Sequence, residues 1–453
     1  MTADRMHRFD SDLVDLVFGY MRDRLQYDPV PLDHPGDGDT LRSALDGLLT
    51  EHGNDPAAVL KLYDHELSRA VISCDSPRYL SFIPCAPTKA ALLFDMVVSC
   101  ASLQGISWLE AAGAIAAENQ VLRLIADRAG LPDTAGGVFV SGGSAANLSA
   151  LVVARDTARH RLGVDARARL RIAVSDQTHS SVTNTLNIIG VEKLLVPTSD
   201  HRLTGENLRA ALEADDDPSS VIGVVATAGT TNAGIVDDLA GIAEVAGEYG
   251  LWFHVDGAYG GAGLFAPSVR HRYDGIERAD SFVVDPHKWL FAPFDCAALI
   301  YRKPWLAKAV HTQDASYLDV LHTDGEEWNP TDYAYHLTRR ARGLPLWFSL
   351  AVHGADAYRD AIESVLATTR ATAERTRALP RLELVRDPEL SIVLFRRTGW
   401  VQADYDDWSR RLLDDQIAFV TPTRWHGEPV ARLALLHPGT TLAIIDEILA
   451  TTA

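Results

Sequence analysis

The chain has 453 residues, 47% hydrophobic and 23% charged, with a formal net charge of −19. Length and composition are those of a globular protein with a large core and more than one domain, and a surface this acidic argues against nucleic acid or anionic lipid as a partner. Cys74, Cys85, Cys100 and Cys296 form no CxxC pair, which argues against a disulfide framework or a metal site and for reduced thiols in a cytoplasm. The first thirty residues mix charged with apolar positions, as in Asp10-Ser11-Asp12-Leu13-Val14-Asp15, unlike a secretory segment. No apolar run approaches the roughly 20 residues of a membrane span.

In chain order, helical apolar spacing (Leu13, Leu16, Val17, Tyr20, Met21, Leu25) predicts a helix over residues 11–25. Pro29, Pro31 and Pro35 with Gly36 and Gly38 break it, and a second helix is predicted over 40–49. Residues 1–85 form a helical segment too small for its own core, so it is expected to pack on a second copy of the chain. From residue 86 to 343 short β-branched runs alternate with longer helical ones. Strands are predicted at 137–140, 170–174, 193–196, 221–226, 251–255, 281–284 and 297–301, and helices at 145–160, 180–189, 204–214 and 239–249. This alternation predicts an α/β domain with a large, mainly parallel sheet covered on both faces. Residues 344–453 begin with a long helix and continue through strands at 390–396, 417–420 and 431–435 to a final helix. They read as a smaller α+β domain.

Five polar clusters follow five of these strands: Ser141 to Asn147, Asp176 to His179, Thr227 to Thr231, Asp256, and Asp285 to Lys288. Ligands of open α/β sheets bind beyond the carboxyl ends of the strands, so the clusters are expected to converge on one crevice.

The most specific piece is Asp285-Pro286-His287-Lys288-Trp289, downstream of His254-Val255-Asp256. A lysine held between apolar runs can form an imine with the aldehyde of pyridoxal 5'-phosphate, and a carboxylate can keep the pyridine nitrogen protonated. Two unit charges about 4 Å apart at an effective dielectric of 20 attract by about 4 kcal/mol, equal to about three pKa units. Lys288 is the candidate anchor and Asp256 the candidate partner of the ring nitrogen. Ser141-Gly142-Gly143-Ser144 opens a helix, and its glycines, free N–H groups and hydroxyl suit a phosphate; a glycine turn with a serine cap would read the same. His179 is placed to stack on a cofactor ring, Thr230 or Thr231 to bond its hydroxyl or phosphate, and Ala258 to let it lie flat. Residues 312–334, long, polar and without period, suggest a lid carrying Tyr317, a phenol able to deliver a proton.

These motifs, with Ala226-Thr227-Ala228-Gly229-Thr230-Thr231, resemble the group II pyridoxal phosphate-dependent amino acid decarboxylases, nearest the aromatic L-amino acid branch. The resemblance runs from about Ser76 to the end. It implies the aspartate-aminotransferase-like fold and a homodimer with its active sites at the interface. Position by position it implies Lys288 as the imine lysine, Asp256 as the pyridinium partner and His179 as the stacking histidine. Gly143 and Ser144 fall on the phosphate turn, Thr231 on the cofactor-contacting threonine, Asp285 and His287 beside the cofactor, and Tyr317 on the lid tyrosine that returns a proton to the substrate. In aldehyde synthases of the family that tyrosine is typically phenylalanine. The implied side-chain pocket is Phe82, Ile83, Pro84 and Cys85, with Gln104 and Ile106 from across the dimer. The expected reaction is decarboxylation of an aromatic or large hydrophobic L-amino acid to its amine. A glutamate- or aspartate-type substrate, an aldehyde-synthase reaction or transamination, with Arg432 holding a substrate carboxylate, are the alternatives.

Overall fold

The computed structural model describes residues 6–313, 315–321 and 328–453, without the side chains of residues 317, 319 and 321. Helices α1 (Ser11–Leu25), α2 (Gly38–Leu45) and α3 (Pro56–Leu62) lead the chain, and none buries a residue. Helices α4 (Lys89–Cys100) and α5 (Trp108–Ala129) follow. Then come β1 (Gly136–Val140), α6 (Gly143–Leu162), β2 (Arg171–Ser175), α7 (Ser180–Ile189), β3 (Glu192–Val196), α8 (Gly205–Glu213), β4 (Val221–Thr227), α9 (Leu239–Tyr249), β5 (Trp252–Asp256), β6 (Ser281–Val284), the short α10 (Pro286–Trp289), β7 (Ala297–Tyr301) and α11 (Pro304–His311).

The large sheet has seven strands in the order β1-β7-β6-β5-β4-β2-β3. β7 is antiparallel to both its neighbours, and the other pairings are parallel. Strands β2, β4, β5, β6 and β7 are buried along their whole length. That burial is why they read as continuous apolar runs rather than alternating ones. Helices α7 and α9 end at Gly190 and Gly250, whose positive φ (66° and 64°) closes the helix and turns the chain into the next strand.

The C-terminal portion opens with α12 (Leu344–Arg377), which bends at Gly354. It continues through β8 (Leu382–Leu384), β9 (Ile392–Arg397), α13 (Gln402–Asp414), β10 (Thr423–Trp425), β11 (Glu428–Ala434) and α14 (Leu442–Ala450). Its sheet is antiparallel, in the order β10-β11-β9-β8. The strand expected at 417–420 is not an element; Phe419 makes a single bridge to Tyr79. The hairpin strand β10, α4 and α5 were not anticipated from periodicity. In α5 the reason is visible: Glu118 sits inside its buried face, paired with Arg339 at 2.7 Å, with side chains 3% and 2% exposed. Glu118 also accepts the Gly343 N–H at 2.8 Å, so the pair ties α5 to the start of α12. An acid on a buried helix face is tolerated only with such a partner.

Candidate active site

Because β1, β2, β4, β5 and β6 point the same way, their carboxyl ends share one edge of the sheet. A crevice of about 300 Å³ opens there, lined by Ser141 to Ser144, Asn147, Gln177, His179, Ser181, Thr227, Gly229, Thr231, Asp256, Ala258, Tyr259, Asp285, His287, Lys288, Phe294 and Asp295. Its volume is at the lower end for small-molecule clefts. The five polar clusters thus meet in one place, and Lys288 and Asp256 face the same space.

Lys288 stands on α10, directly after β6, with its Nζ 2.9 Å from Asp285 Oδ2. Asp285 Oδ2 also accepts the Gly143 N–H, 3.1 Å away at the first turn of α6. A side chain at Gly143 would bring a Cβ within 2.9 Å of that oxygen and 3.1 Å of the Ala258 Cβ, so glycine is required for this approach. Asp285 Oδ1 is buried without a hydrogen-bond partner. The Asp285 carboxylate is therefore held by an ammonium group and a helix start. His287 Nδ1 donates to the Cys296 carbonyl at 2.7 Å. Burial, opposed by Asp285, pulls its pKa below the usual histidine value.

Asp256 ends β5, opposite Thr227 and Val283. Its Oδ1 accepts the Ala258 N–H at 3.0 Å and its Oδ2 an amide hydrogen of Asn147 at 2.9 Å. His179 caps α7, with its Nδ1 2.8 Å from Ser181 Oγ. Thr227 Oγ1 is buried without a partner. Thr230 instead caps a turn, accepting the Ile235 N–H at 3.1 Å, which leaves Thr231 as the threonine of this pair at the crevice.

Arg432, the candidate carboxylate binder, donates to the backbone carbonyls of Phe82 (2.7 Å), Thr231 (2.6 Å) and Asn232 (3.3 Å). Burial lowers its pKa to about 10. It braces the crevice loop against the segment at Phe82, as a structural role requires. The expected side-chain pocket is not brought to the crevice within one chain. Cys85 is buried and bonds the Ala292 carbonyl at 3.1 Å. Pro84 is buried and Ile83 half-buried. Phe82 and Gln104 are exposed, and Ile106 is buried where its carbonyl accepts the Thr331 N–H. The Tyr317 side chain lies outside the described residues. Asn147, Gln177, Ser181, Tyr259, Phe294 and Asp295 had been given no role. Asn147 and Gln177 fell inside the quoted clusters, so their position after a strand was the available signal.

Behind Asp256, on the same face of β5, His254 is enclosed, and burial holds its pKa down to about 4. The unfolded chain, near 6.5, binds this proton more readily. Stability that is fully present above about pH 6.5 is therefore lost as pH falls towards 4. Urea unfolding at a series of pH values should show this extra slope in the wild-type protein and not in His254→Gln; equal slopes would refute it.

The crevice offers a lysine amine, a carboxylate at the next strand end, a glycine-opened helix start and the unpartnered buried hydroxyl of Thr227, a set of groups that fits a phosphorylated pyridine aldehyde. A family model, the pyridoxal-dependent decarboxylase conserved domain, matches residues 39–398. The chain is 30% identical to an aromatic-L-amino-acid decarboxylase of Bacillus atrophaeus, over 97% of this chain and 93% of that protein. It is 31% identical to a tryptophan decarboxylase of Camptotheca acuminata, over 86% and 81%. The crystal structure of Oryza sativa TDC with PLP and tryptamine superposes with a TM-score of 0.90, covering 99% of both chains at 26% identity. This chain belongs to the pyridoxal-dependent decarboxylase family. It is a carboxy-lyase of the aspartate-aminotransferase-like fold, and its cofactor is pyridoxal 5'-phosphate.

Proposed function

We propose that the enzyme converts an aromatic or large hydrophobic L-amino acid to its amine and carbon dioxide, as a cytoplasmic homodimer. The observation that carries the reading is that Lys288 and Asp256 line one crevice at adjacent strand ends. Lys288 would hold the aldehyde carbon of the cofactor, Asp256 its ring nitrogen, and His179 and Ala258 its two faces. Ser144, His287, Thr231 and the close backbone at Gly143 would hold its polar groups. When bound, the cofactor supplies an electron sink that lets the substrate's carboxylate leave as carbon dioxide. The chain orients that carboxylate in the crevice, and Tyr317 delivers a proton to the carbon it leaves.

Substrate class is supported by charge. The crevice carries Asp256, Asp285 and Asp295, and Lys288 is its only lysine or arginine among the described residues. Within one chain the crevice therefore offers a substrate's side-chain carboxylate no cation beyond Lys288 among the described residues. The aromatic amino acid and tryptophan decarboxylases among the relatives point the same way. Assays of carbon dioxide release across the twenty amino acids should rank tryptophan, tyrosine or phenylalanine first; glutamate or aspartate in first place would overturn the assignment. Tyr317→Phe should divert product from amine towards aldehyde. An unchanged amine yield would remove Tyr317 from proton delivery.

The dimer is supported by apolar surface. Helix α1 buries nothing and exposes Leu13 and Phe18, α4 exposes Leu93 and Val97, and Phe82 and Leu109 are also exposed. Isolated short helices do not hold without an apolar contact. Light scattering at micromolar concentration should give the mass of two chains; the mass of one would refute the assembly. Four unpaired thiols, at Cys74, Cys85, Cys100 and Cys296, are consistent with a reducing cytoplasm.

A further inference from the structure

Trp252, His254 and Asp256 alternate along β5 and so share one face of the sheet. Asn147, buried on α6, meets that face. Its Nδ2 lies 2.9 Å from Asp256 Oδ2 and 3.1 Å from Ser181 Oγ, and its Oδ1 lies 2.9 Å from His254 Nε2. His254 Nδ1 lies 2.7 Å from Ser281 Oγ, which accepts the Trp252 indole N–H at 2.8 Å.

The direction of every hydrogen follows from what each group can do. A carboxylate only accepts, so Asn147 turns its NH₂ to Asp256 and its oxygen to His254 Nε2, and an indole only donates, so Ser281 Oγ accepts from Trp252. That leaves the hydrogen of a neutral His254 on Nε2, where the Asn147 oxygen accepts it. Turning the Asn147 amide over would set its oxygen against the Asp256 carboxylate, acceptor against acceptor, so one orientation survives. The two amide hydrogens then go to Asp256 and to Ser181. His179 Nδ1 accepts the Ser181 backbone N–H at 3.2 Å, so the Ser181 hydroxyl, 2.8 Å away, meets that nitrogen by donating its hydrogen. With Nδ1 taking two hydrogens, the proton of a neutral His179 resides on Nε2.

We propose that Asn147 is a positioning residue that acts on both ends of this network: it orients the Asp256 carboxylate and, through the Ser181 hydroxyl, reinforces the Nε2–H tautomer of His179 that the Ser181 backbone N–H sets. This rests on the roles assigned above to Asp256 and His179. It gives the crevice a fixed N–H donor at His179 and a fixed acceptor at Asp256, joined through one amide.

The test uses holoenzyme labelled with nitrogen-15 histidine, with the His179 signals identified by their loss in His179→Gln. Wild-type His179 should show the Nε2–H tautomer, and Ser181→Ala, which keeps the backbone N–H but removes the hydroxyl, should admit a detectable fraction of the Nδ1–H form while leaving the cofactor's visible absorbance maximum in place. Asn147→Leu should likewise admit that form and also shift that maximum, and both variants should lose about 10- to 100-fold in kcat with little change in KM. A wild-type Nδ1–H signal, or His179 shifts unmoved by Ser181→Ala, would overturn the proposal. If Asn147→Leu does not fold, Ser181→Ala, which removes one hydroxyl, still decides it. The tautomer readout needs no turnover. A wild-type enzyme that released no carbon dioxide would reject the proposed function while leaving this result interpretable.

Discussion

Lys288→Ala is expected to lower kcat by at least about 10⁴-fold and to abolish the visible absorbance of the cofactor-loaded enzyme. The amine at 288 is the crevice's only primary amine among the described residues, so no neighbour can take over the covalent link. The substitution has a second consequence that must be kept apart from the first. Lys288 Nζ pairs with Asp285 at 2.9 Å, and that carboxylate is only 2% exposed. Removing the cation strands a buried charge, a loss of about 3–5 kcal/mol in stability by the usual cost of breaking a buried pair. Lys288→Arg separates the effects. It keeps a cation near Asp285 but presents no primary amine, so it should recover much of the stability and none of the turnover. Wild-type turnover in Lys288→Ala would reject the anchor assignment outright.

Asp256→Asn is expected to cost about 10³-fold in kcat. An attraction of about 4 kcal/mol between a carboxylate and a pyridinium near 4 Å corresponds to about three decades in rate if it is felt in full where charge develops. The amide has no charge to offer, and its NH₂ group would also meet the Asn147 amide hydrogens that now serve Asp256 Oδ2 at 2.9 Å. Asp256→Glu keeps the charge and misplaces it, so it should fall between. Spectra of the cofactor-loaded variants would show whether binding survives while chemistry fails; a kcat within a few-fold of wild type in Asp256→Asn would remove this carboxylate from the mechanism.

Much of this was legible along the chain because parallel strands leave a local signature. A strand buried on both faces is a short apolar run, and the polar residues just after it mark the ligand edge. The predicted strand at 281–284 and the helices at 180–189 and 239–249 coincide with β6, α7 and α9. The clusters following β1, β2, β4, β5 and β6 all line one crevice. Other features had no local signature. The reversed β7 between β1 and β6 is a matter of pairing, not of composition. Residues 417–420 are apolar enough for a strand, but Phe419 finds only a single bridging partner. Helix α5 escaped because its buried face includes Glu118, whose tolerance depends on an arginine 221 residues away in sequence.

The sequence by itself determined the α/β layering, the strand-end placement of the reactive groups, and the identity of a lysine and a carboxylate suited to pyridoxal phosphate. Each of those depends on residue type and on spacing within a few positions. Only the tertiary structure decided what surrounds them: that Asp285 is neutralised by Lys288 and a helix start, that Arg432 is spent on backbone carbonyls, and that Asn147 reaches Asp256 and His254 at once. Apart from the Lys288–Asp285 pair, three residues apart, those outcomes depend on hydrogen bonds between segments 100 or more residues apart. Such bonds form only where packing has excluded water and set the two partners within about 3 Å.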